Sequence, residues 1–385
     1  MKPEIIARSI PETDWRRLHE SPLLARLFAS RGIEDPAALE MTLSQLHAPD
    51  SLSHLSVAIE LLVKSLRNRQ DIIIVGDYDA DGATSTAFCV RMLRAMGDSS
   101  VDYFVPNRFR FGYGLSEDVV EHLSAKAPAL LITVDNGIAS LKGVSRAKEC
   151  GFDVLITDHH LPGSTLPNAD VIVNPNLNGD QFPSKYLAGV GVVFYLLSAL
   201  RSRLVADGWF EELQRPVPNP AQYLDLVALG TVADVVPLDT NNRILVEQGL
   251  RRIRAKKTCL GIAALIDISG RNISNLVASD LAFAVGPRLN AAGRLDDMSL
   301  GIECLITDSP ERASEIAQEL DSLNRSRRDI EQQMRVEADS LLDQWLDDNA
   351  QQNLPAGVSL YDPNWHEGVI GILAGRVRES VHRPC

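Results

Sequence analysis

Three closely spaced aspartates, Asp77, Asp79 and Asp81, follow an apolar run and end at a glycine, Gly82. Carboxylates packed this closely repel one another strongly unless a divalent cation neutralises them. The run before them, residues 72–75, consists of isoleucine and valine and is typical of a strand covered on both faces. Because alternate residues beyond such a strand project to one side, the sequence predicts a cation site at the strand end.

The same triplet allows two other interpretations. It matches the opening of an EF-hand calcium loop, which requires a glutamate at its twelfth position. That position is Phe88, so the EF-hand interpretation fails. An acidic surface turn stays open on these residues alone, because aspartate is also an ordinary turn residue.

Three later segments place further acids or histidines in or after an apolar element. Asp135-Asn136-Gly137 follows residues 130–134, Asp158, His159 and His160 follow residues 154–157, and Asp234 ends the apolar stretch 226–233. Taken singly, an Asn-Gly pair is most often a turn and a histidine is most often structural. In a parallel sheet, however, groups at the carboxyl ends of several strands converge on one crevice. We therefore expect these side chains to form a single site.

The side-chain types of that site favour a hard divalent cation. Carboxylates with one or two imidazoles suit Mn²⁺ or Mg²⁺, and the chain has no cysteine pair at the spacing of a zinc site. Two such ions about 3.5 to 4 Å apart are the usual arrangement for phosphate-ester hydrolysis. The predicted chemistry is therefore hydrolysis of a phosphoester with two metal ions.

The elements that hold these residues have the pattern of an α/β fold. Residues 71–170 alternate strand and helix patterns, which predicts a mainly parallel sheet flanked by helices. Helical patterns then cover residues 187–204, 221–233 and 242–254, and residues 357–361 have the pattern of a further strand. We expect four segments: an N-terminal helical segment at 1–70, a catalytic domain at 71–308, a long connector helix at 309–346, and a partial second α/β domain at 347–385.

The connector helix has a serine cap and a proline at its first position, Ser309 and Pro310. Its length exceeds what one compact domain needs, which favours a link between two domains. Arg325, Arg327 and Arg328 lie midway along it. Their spacing from acidic neighbours favours a solvated helix face, with a surface facing DNA as the alternative.

Composition limits the classes of protein that the chain can belong to. It has 385 residues, 45% of them hydrophobic, which is enough for two or three domains with full cores. With 38 Lys and Arg against 51 Asp and Glu, the net charge is −13, unlike that of a nonspecific duplex binder. The start lacks the pattern of a signal peptide, and five scattered cysteines favour reduced thiols. We expect a cytoplasmic protein.

Several motifs, in order, resemble those of the DHH phosphoesterase superfamily. They are residues 77–82 (Asp-Tyr-Asp-Ala-Asp-Gly), 135–137 (Asp-Asn-Gly), 158–160 (Asp-His-His) and 230–234 (Gly-Thr-Val-Ala-Asp). Residues 105–108, 112–114, 286–294 and 365–371 resemble one branch of it, the RecJ single-stranded-DNA-specific exonucleases. By this resemblance the catalytic segment is a DHH domain, and residues 347–385 are the start of an incomplete DHHA1 domain.

The resemblance also implies roles for individual residues. The metal ligands would be Asp77, Asp79, Asp81, Asp135, His159 and Asp234, and Asp135 would bridge two Mn²⁺ or Mg²⁺ ions. The catalytic residues would be Asp135, Asp158, which orients the histidines, and His160, which contacts the scissile phosphate or assists proton transfer. The substrate contacts would be Arg108, Arg288, Asn290, Arg294, His366 and Arg376. Each arginine, taken singly, also fits a solvated surface position.

The function implied by the resemblance is stepwise hydrolysis of single-stranded DNA from its 5′ end, releasing mononucleotides, in DNA repair and recombination. Its implied partners are single-stranded DNA with a 5′ end, single-stranded-DNA-binding protein and a helicase. In the family further C-terminal domains follow, so we expect a C-terminally short form with weakened DNA binding. Two alternatives stay open: a phosphodiesterase for short oligoribonucleotides or cyclic dinucleotides, and a DNA-repair scaffold without catalysis.

Overall fold

A five-stranded sheet lies at the centre of the fold in the computed structural model. The structure describes residues 4, 6–11, 14–97, 100–348 and 356–385, and for residues 345–348 it describes the backbone alone. The strands are β1 (Ile72–Gly76), β2 (Val101–Phe104), β3 (Leu130–Val134), β4 (Asp153–Thr157) and β5 (Val171–Val173). They lie in the order β2-β1-β3-β4-β5, and every neighbouring pair is parallel. The chain changes direction across the sheet between β1 and β3, which opens a crevice beyond their carboxyl ends.

Helices cover both faces of the sheet and continue after it. They are α1 (Pro22–Ala29), α2 (Leu55–Arg67), α3 (Ala80–Met96), α4 (Arg108–Phe111), α5 (Glu117–Leu123), α6 (Leu141–Glu149), α7 (Gly189–Ala206), α8 (Trp209–Glu212), α9 (Leu224–Ala233), α10 (Thr240–Arg254), α11 (Leu260–Ile268), α12 (Ala278–Asp280), α13 (Gly286–Leu295), α14 (Ser299–Ile306), α15 (Pro310–Asp348) and α16 (Ile370–Val381). Short 3-10 helices cover Trp15–Leu18, Pro36–Leu39, Leu43–Gln45, Pro49–Ser51, Ser124–Lys126, Pro220–Tyr223 and Ile273–Asn275, and a π-helix covers Leu281–Val285.

Alternate residues of β1 enter two hydrophobic cores on opposite faces of the sheet. Ile72 and Ile74 pack in a core with residues of α2, α3, α7 and α9. Ile73 and Val75 pack in a second core with residues of α5 and α6. Because both faces are covered, the strand needs no polar face, and its sequence is a continuous apolar run. The predicted parallel sheet flanked by helices is confirmed.

The helix α7 is long and apolar enough, by length and composition, to cross a membrane. Within the fold, 61% of it is buried, which is the environment of a core helix. Its first N–H groups point at the carboxyl end of the sheet, where Gly189 and Val190 donate hydrogen bonds to the Asp81 carboxylate. The apolar character of α7 therefore comes from burial against the sheet and its neighbouring helices.

The helix α15 joins two hydrophobic cores. It has 39 residues and spans about 58 Å. Ile316 and Leu320 pack in the main core, whereas Met334 and Ala338 pack with α16 in a small separate core. The helix covers the segment expected as a connector, and the division of the chain into domains stays a prediction. The predicted boundary at residue 347 adjoins residues 349–355, which lie outside the described part of the chain.

The predicted strand at residues 357–361 does not form. This segment has no strand partner among the described residues, and its Val358 N–H donates to the Pro384 carbonyl at 2.8 Å. A strand pattern produces a strand only where a second strand completes the hydrogen bonds. The prediction from local pattern was wrong for this reason.

Candidate metal centre

The carboxyl ends of three neighbouring strands carry most of the predicted site residues. Asp77 follows β1, Asp135 follows β3 and Asp158 follows β4. The strands β1 and β3 border the crevice where the chain changes direction, so their loops face each other. Asp234 reaches the same place from another element, as the C-cap residue of α9.

The loop after β1 is fixed by its own side chains. Asp79 is the N-cap of α3, and its Oδ1 accepts hydrogen bonds from the N–H groups of Asp81 at 2.9 Å and Gly82 at 3.0 Å. Gly82 is required because a Cβ there would lie 2.5 Å from the Asp77 carbonyl oxygen. The Asp triplet therefore forms a tight turn that leads into a helix. Because Asp79 Oδ1 caps the helix, its other carboxylate oxygen is the one that could bind a metal ion.

Asp81 is fully buried at the N-terminus of α7. Its Oδ2 accepts from the Gly189 N–H at 2.6 Å, and its Oδ1 accepts from the Val190 N–H at 3.0 Å. The positive end of a helix dipole stabilises a negative charge at this position. Asp81 thus ties the metal loop to α7 while keeping both oxygens in the crevice.

Asp135 adopts a strained backbone conformation, with a φ of 62°. The left-handed region costs free energy for a residue other than glycine, and such residues cluster at functional sites. The next side chain, Asn136, holds the turn by donating to the Val75 carbonyl at 3.0 Å and the Val134 carbonyl at 2.9 Å. The Asp135 carboxylate is therefore aimed by hydrogen bonds that span β1 and β3.

The ring nitrogen Nε2 of His159 lies among three carboxylates. It is 3.0 Å from Asp135 Oδ1, 3.6 Å from Asp234 Oδ2 and 4.0 Å from Asp81 Oδ2. Both His159 Nε2 and Asp135 Oδ1 are buried, and neither has a hydrogen-bond partner among the described residues. Two ligands about 2.1 Å from an octahedral cation lie about 3 Å apart, so this pair has the spacing of two ligands of one ion.

Three overlapping groups of side chains could hold a metal ion in this crevice. They are Asp77, Asp79 and Asp135; Asp81, His159 and Asp234; and Asp135, His159 and His160. Within each group the potential ligand atoms lie within 4.8 Å of one another. Asp135 belongs to two of the groups, so it stands between two adjacent positions for an ion. The structure thus brings together all six residues expected as metal ligands.

Burial and mutual repulsion perturb the acids of this cluster. Burial, followed by the charge of Asp79, raises the pKa of Asp77 to about 7. The same two causes raise the pKa of Asp234 to about 7. Burial and neighbouring carboxylates also hold the pKa values of Asp81 and Asp135 well above the usual range. A divalent cation would offset both the burial of the negative charges and the repulsion between them, so the residues present fit such an ion.

The two histidines differ in charge because their surroundings differ. Burial lowers the pKa of His159 to about 4, which keeps the ring neutral, as a metal ligand must be. A hydrogen bond from His160 Nδ1 to Asp158 Oδ1, 2.8 Å long, raises the pKa of His160 to about 9. Burial alone would raise the pKa of Asp158, but its hydrogen bonds with His160 and Ile138 lower it.

A cationic surface adjoins the acids on the side of Tyr78, and we call it the arginine wall (Arg108, Arg294 and Arg327). The Arg108 guanidinium stacks over the Tyr78 ring at 4.1 Å from its centre. Burial, then the charges of Arg108 and Arg327, lowers the pKa of Arg294. The Nε atoms of Arg108 and Arg327 are buried with no hydrogen-bond partner among the described residues. An anion bound by the arginine wall would offset the repulsion between its guanidinium charges.

The other expected substrate contacts are engaged elsewhere. Arg288 forms an ion pair with Asp321 of α15 at 2.7 Å, and the Asn290 side-chain oxygen accepts from the Ala80 N–H at 2.7 Å. Arg376 donates to Glu331 of α15 at 3.2 Å and is half exposed. The Arg288 guanidinium and the Asn290 side-chain oxygen therefore have partners within the protein, and their contact with substrate stays a prediction.

His366 is, with Arg376, an expected contact from the segment after α15, and it lies beside α4. Its ring packs edge-on against Phe109 at 5.8 Å between centres. Its Nδ1 accepts from the Gly368 N–H at 3.1 Å, so the other ring nitrogen is left as a donor. In the same turn the Gly368 carbonyl accepts from Arg294 at 3.0 Å. The structure thus places His366 and Arg294 beside one turn.

Two residues beside this cluster are not among those expected to bind the metal ions or the substrate. Arg327 has an i,i+4 acidic partner, Glu331, at 2.7 Å, which is also the signature of a solvated helix face, so only the fold reveals that it is buried. Tyr113, whose position among arginines in the sequence suggests base stacking, stands between Gly112 and Gly114, both of which have a positive φ. Its ring packs edge-on against Tyr78, at 5.8 Å between the ring centres.

Comparison with known proteins places this geometry in a family. Residues 71–231 match the model of the DHH family, N-terminal domain. The single-stranded-DNA-specific exonuclease RecJ of Escherichia coli (strain K12) is 52% identical over 377 residues, which cover 98% of this chain and 65% of that protein. A crystal structure of exonuclease RecJ bound to manganese is 37% identical, with a TM-score of 0.71, and the match covers 86% of this chain and 79% of that one. The chain belongs to the RecJ family.

Other members of the RecJ family match the chain over most of its length. A structure of RecJ in complex with Mn²⁺ from Thermus thermophilus has a TM-score of 0.77 at 34% identity, covering 97% of this chain and 52% of that one. The chain spans just under two thirds of the E. coli RecJ, at 65% of its length. The similarity therefore establishes the family and the fold around the acidic cluster.

Proposed function

We propose that this RecJ-family chain is an exonuclease that degrades single-stranded DNA from the 5′ end with two Mn²⁺ or Mg²⁺ ions, releasing mononucleotides. One observation carries the proposal: Asp135 Oδ1 and His159 Nε2 lie 3.0 Å apart, buried and without hydrogen-bond partners, inside a cluster of acids. Relatives at 50 to 55% identity carry the name single-stranded-DNA-specific exonuclease RecJ, which supports the same activity. Structures of RecJ with manganese and with magnesium support the choice of ions.

The residues of the cluster divide the work of the proposed reaction. Asp77, Asp79 and Asp135 would hold one ion, and Asp135 would share a second with Asp81, His159 and Asp234. Bound divalent ions activate a water and neutralise charge on the phosphate oxygens. The raised pKa values of Asp77, Asp81, Asp135 and Asp234 reflect the cost of burying these carboxylates and their mutual repulsion, which such ions would reduce.

The substrate phosphates would meet His160 on one side and the arginine wall on the other. Because His160 Nδ1 is bound to Asp158, its Nε2 is the atom available to a phosphate oxygen. Arg108 and Arg294 would bind the 5′-terminal phosphate, for which a planar guanidinium is well suited. The Tyr78 ring contacts Arg108 and Tyr113, and both tyrosines would stack on the first bases.

We also propose a cellular setting for this activity, namely DNA repair and recombination in the cytoplasm. An enzyme restricted to single strands depends on a helicase to open duplex DNA and meets strands covered by single-stranded-DNA-binding protein. The five free cysteines, none of them paired in the structure, support a reducing compartment. A blunt duplex should be degraded only when a helicase is added, and degradation without helicase would contradict this part of the proposal.

The nuclease proposal is tested with single-stranded DNA that carries a label at its 5′ end. We expect labelled mononucleotide to appear in the presence of Mn²⁺, and chelation to stop the reaction. Asp135→Ala should reduce the rate by about a hundredfold or more, since it removes a ligand shared between two ions. Circular dichroism would check that the variant is folded.

Three substrates separate the proposal from its alternatives. Single-stranded DNA should be consumed faster than blunt duplex and faster than short oligoribonucleotides. Faster cleavage of short RNA would favour the phosphodiesterase, and absence of metal-dependent cleavage of any of them would favour the scaffold. An unchanged rate for Asp135→Ala would show that the metal assignment is wrong.

A further inference from the structure

The helix α13 lies directly against the loop that carries the aspartate triplet. The side-chain oxygen of Asn290 accepts a hydrogen bond from the Ala80 N–H at 2.7 Å. One turn later, Gly293 is so close to the same loop that a Cβ would lie 1.8 Å from the Tyr78 carbonyl oxygen. Residues three apart lie on one face of a helix, so Asn290 and Gly293 form a single contact surface. That surface packs against the backbone of residues 78–80.

The Ala80 N–H has no other hydrogen-bond acceptor among the described residues. It is the first N–H of α3, and the first four N–H groups of a helix lack partners within the helix. The next two, of Asp81 and Gly82, are bound by Asp79 Oδ1, and the regular helical bonds begin with the Ala83 N–H, which donates to the Asp79 carbonyl at 2.9 Å. Ala80 is 1% exposed, so solvent does not replace Asn290. The Asn290 oxygen therefore completes the cap of α3.

We propose that Asn290 is a positioning residue for the metal loop, which holds the backbone between Asp79 and Asp81 in the geometry that ion binding requires. This role deepens the proposed function, because it concerns the same ions. In the metal-free protein a neutral amide supplies this acceptor without adding a negative charge to a cluster whose acids already repel one another, whereas a carboxylate there would add attraction for the cation. Asn290 would thus act on the reaction through the loop, without touching the substrate.

Asn290→Ala tests the proposal through ion affinity. We expect Mn²⁺ binding, measured on the full chain by isothermal titration calorimetry, to weaken about tenfold, which corresponds to about 1.4 kcal/mol. The reason is that the Ala80 N–H loses its acceptor and the loop is freed to move away from the ions. Thermal unfolding with and without Mn²⁺ gives a second measure: the rise in Tm caused by Mn²⁺ should shrink.

Two further variants separate positioning from general stability. Asn272→Ala removes an amide oxygen that accepts from the Ser274 N–H at 3.0 Å, also at the start of a short helix, but outside the metal cluster. It should leave Mn²⁺ affinity unchanged. Asn290→Asp keeps an oxygen facing Ala80, so it should bind Mn²⁺ at least as tightly as the wild type.

The proposal is overturned if Asn290→Ala binds Mn²⁺ like the wild type, whatever its Tm without metal. It is also overturned if Asn290→Asp is as weak as Asn290→Ala, because the amide nitrogen would then be the important atom. Failure of the proposed function looks different: the wild type would bind Mn²⁺ but release no nucleotides from DNA. The calorimetric comparison would remain valid in that case.

Discussion

Asp158 determines how the two histidines of the cluster are used. Its Oδ1 accepts from the N–H groups of His159 and His160 at 2.7 and 3.0 Å, and from His160 Nδ1 at 2.8 Å. Its Oδ2 accepts from the Ile138 N–H at 2.9 Å. One buried carboxylate therefore fixes the backbone of both histidines and the ring of one of them. Removing its charge should disturb metal binding although Asp158 is not itself among the expected ligands.

Asp158→Asn is the corresponding prediction at the residue scale. An amide presents one acceptor instead of two, so at least one of the N–H groups loses its partner. We expect the affinity for Mn²⁺ to fall about 10- to 100-fold, the usual effect of removing a group that orients a metal ligand. Calorimetric titration with Mn²⁺ measures the change, and the nuclease rate at saturating Mn²⁺ shows what remains.

Asp180→Asn is a matched control for that experiment. Asp180 is also buried and accepts from two backbone N–H groups, of Ser53 at 2.7 Å and Phe182 at 2.8 Å, but it lies outside the metal cluster. It should lower the Tm without changing the affinity for Mn²⁺. If both variants bind Mn²⁺ equally well, Asp158 has only a structural role.

At the scale of elements, the N-terminus of α7 holds two of the acids at once. The Gly189 N–H donates to Asp81, and the Gly189 Cα faces Asp135 so closely that a Cβ would lie 2.7 Å from the Asp135 Cβ. The helix can approach this closely only because residue 189 has no side chain. A glycine at a helix start thus sets the separation between the β1 and β3 loops.

Gly189→Ala should move Asp135 or α7, because the Cβ would meet the Asp135 Cβ and backbone rather than a flexible side-chain end. We expect a loss of about 1–3 kcal/mol in the free energy of unfolding, typical of overpacking. Mn²⁺ binding should weaken together with stability. Chemical denaturation and Mn²⁺ titration measure the two effects.

Gly191→Ala is the matched control, since Gly191 lies in the same helical turn. Its Cβ would meet the end of the Leu187 side chain at 3.1 Å, which can move aside. Alanine is the better helix former, by about 1 kcal/mol, so this variant should be neutral or slightly more stable. Equal loss of Mn²⁺ affinity in both variants would contradict the proposed role of Gly189.

The elements that carry the acids could be predicted from sequence because their signals are local. The apolar run at residues 72–75 and the acids after it need no information from elsewhere in the chain. The predicted strand at 357–361 failed because a strand depends on a partner. The surroundings of Arg327 and Arg288 could not be predicted for a related reason: an arginine on a helix looks the same in sequence whether it faces solvent, a carboxylate or a ligand. Partners distant in sequence decide such cases.

At the scale of the whole molecule, α13 is held to both of its neighbours by arginines. Arg288 binds Asp321 of α15 through two nitrogens, at 2.9 and 2.7 Å. Arg294 binds the carbonyl of Gly368, in the turn before α16, at 3.0 Å. Because α13 also supports the metal loop, the position of α15 bears on the metal centre. The Arg288 pair is thus expected to stabilise the assembly of these elements.

Arg288→Met is the prediction that follows. The side chains of Arg288 and Asp321 are 12% and 5% exposed, so the substitution leaves a buried carboxylate with Arg325 as its remaining cation. Breaking a buried pair costs about 3–5 kcal/mol, and Arg325 should hold the loss to about 3 kcal/mol. The midpoint of chemical denaturation measures it. Arg312→Met breaks an exposed ion pair between α15 and α14, with Glu303 at 2.7 Å, and should change the midpoint little.

Comparison of Arg288→Met with Arg108→Met shows whether Arg288 forms an ion pair within the protein or contacts the substrate. Arg108 has a buried Nε without a partner among the described residues and lies beside the metal loop, so its loss should raise the KM for 5′-phosphorylated single-stranded DNA. Arg288→Met should leave that KM near the wild-type value, because its guanidinium is already bound by Asp321. A raised KM for Arg288→Met with an unchanged denaturation midpoint would mean that Arg288 leaves Asp321 and binds the strand. In that case the ion pair would be a resting state, and α15 would move when substrate binds.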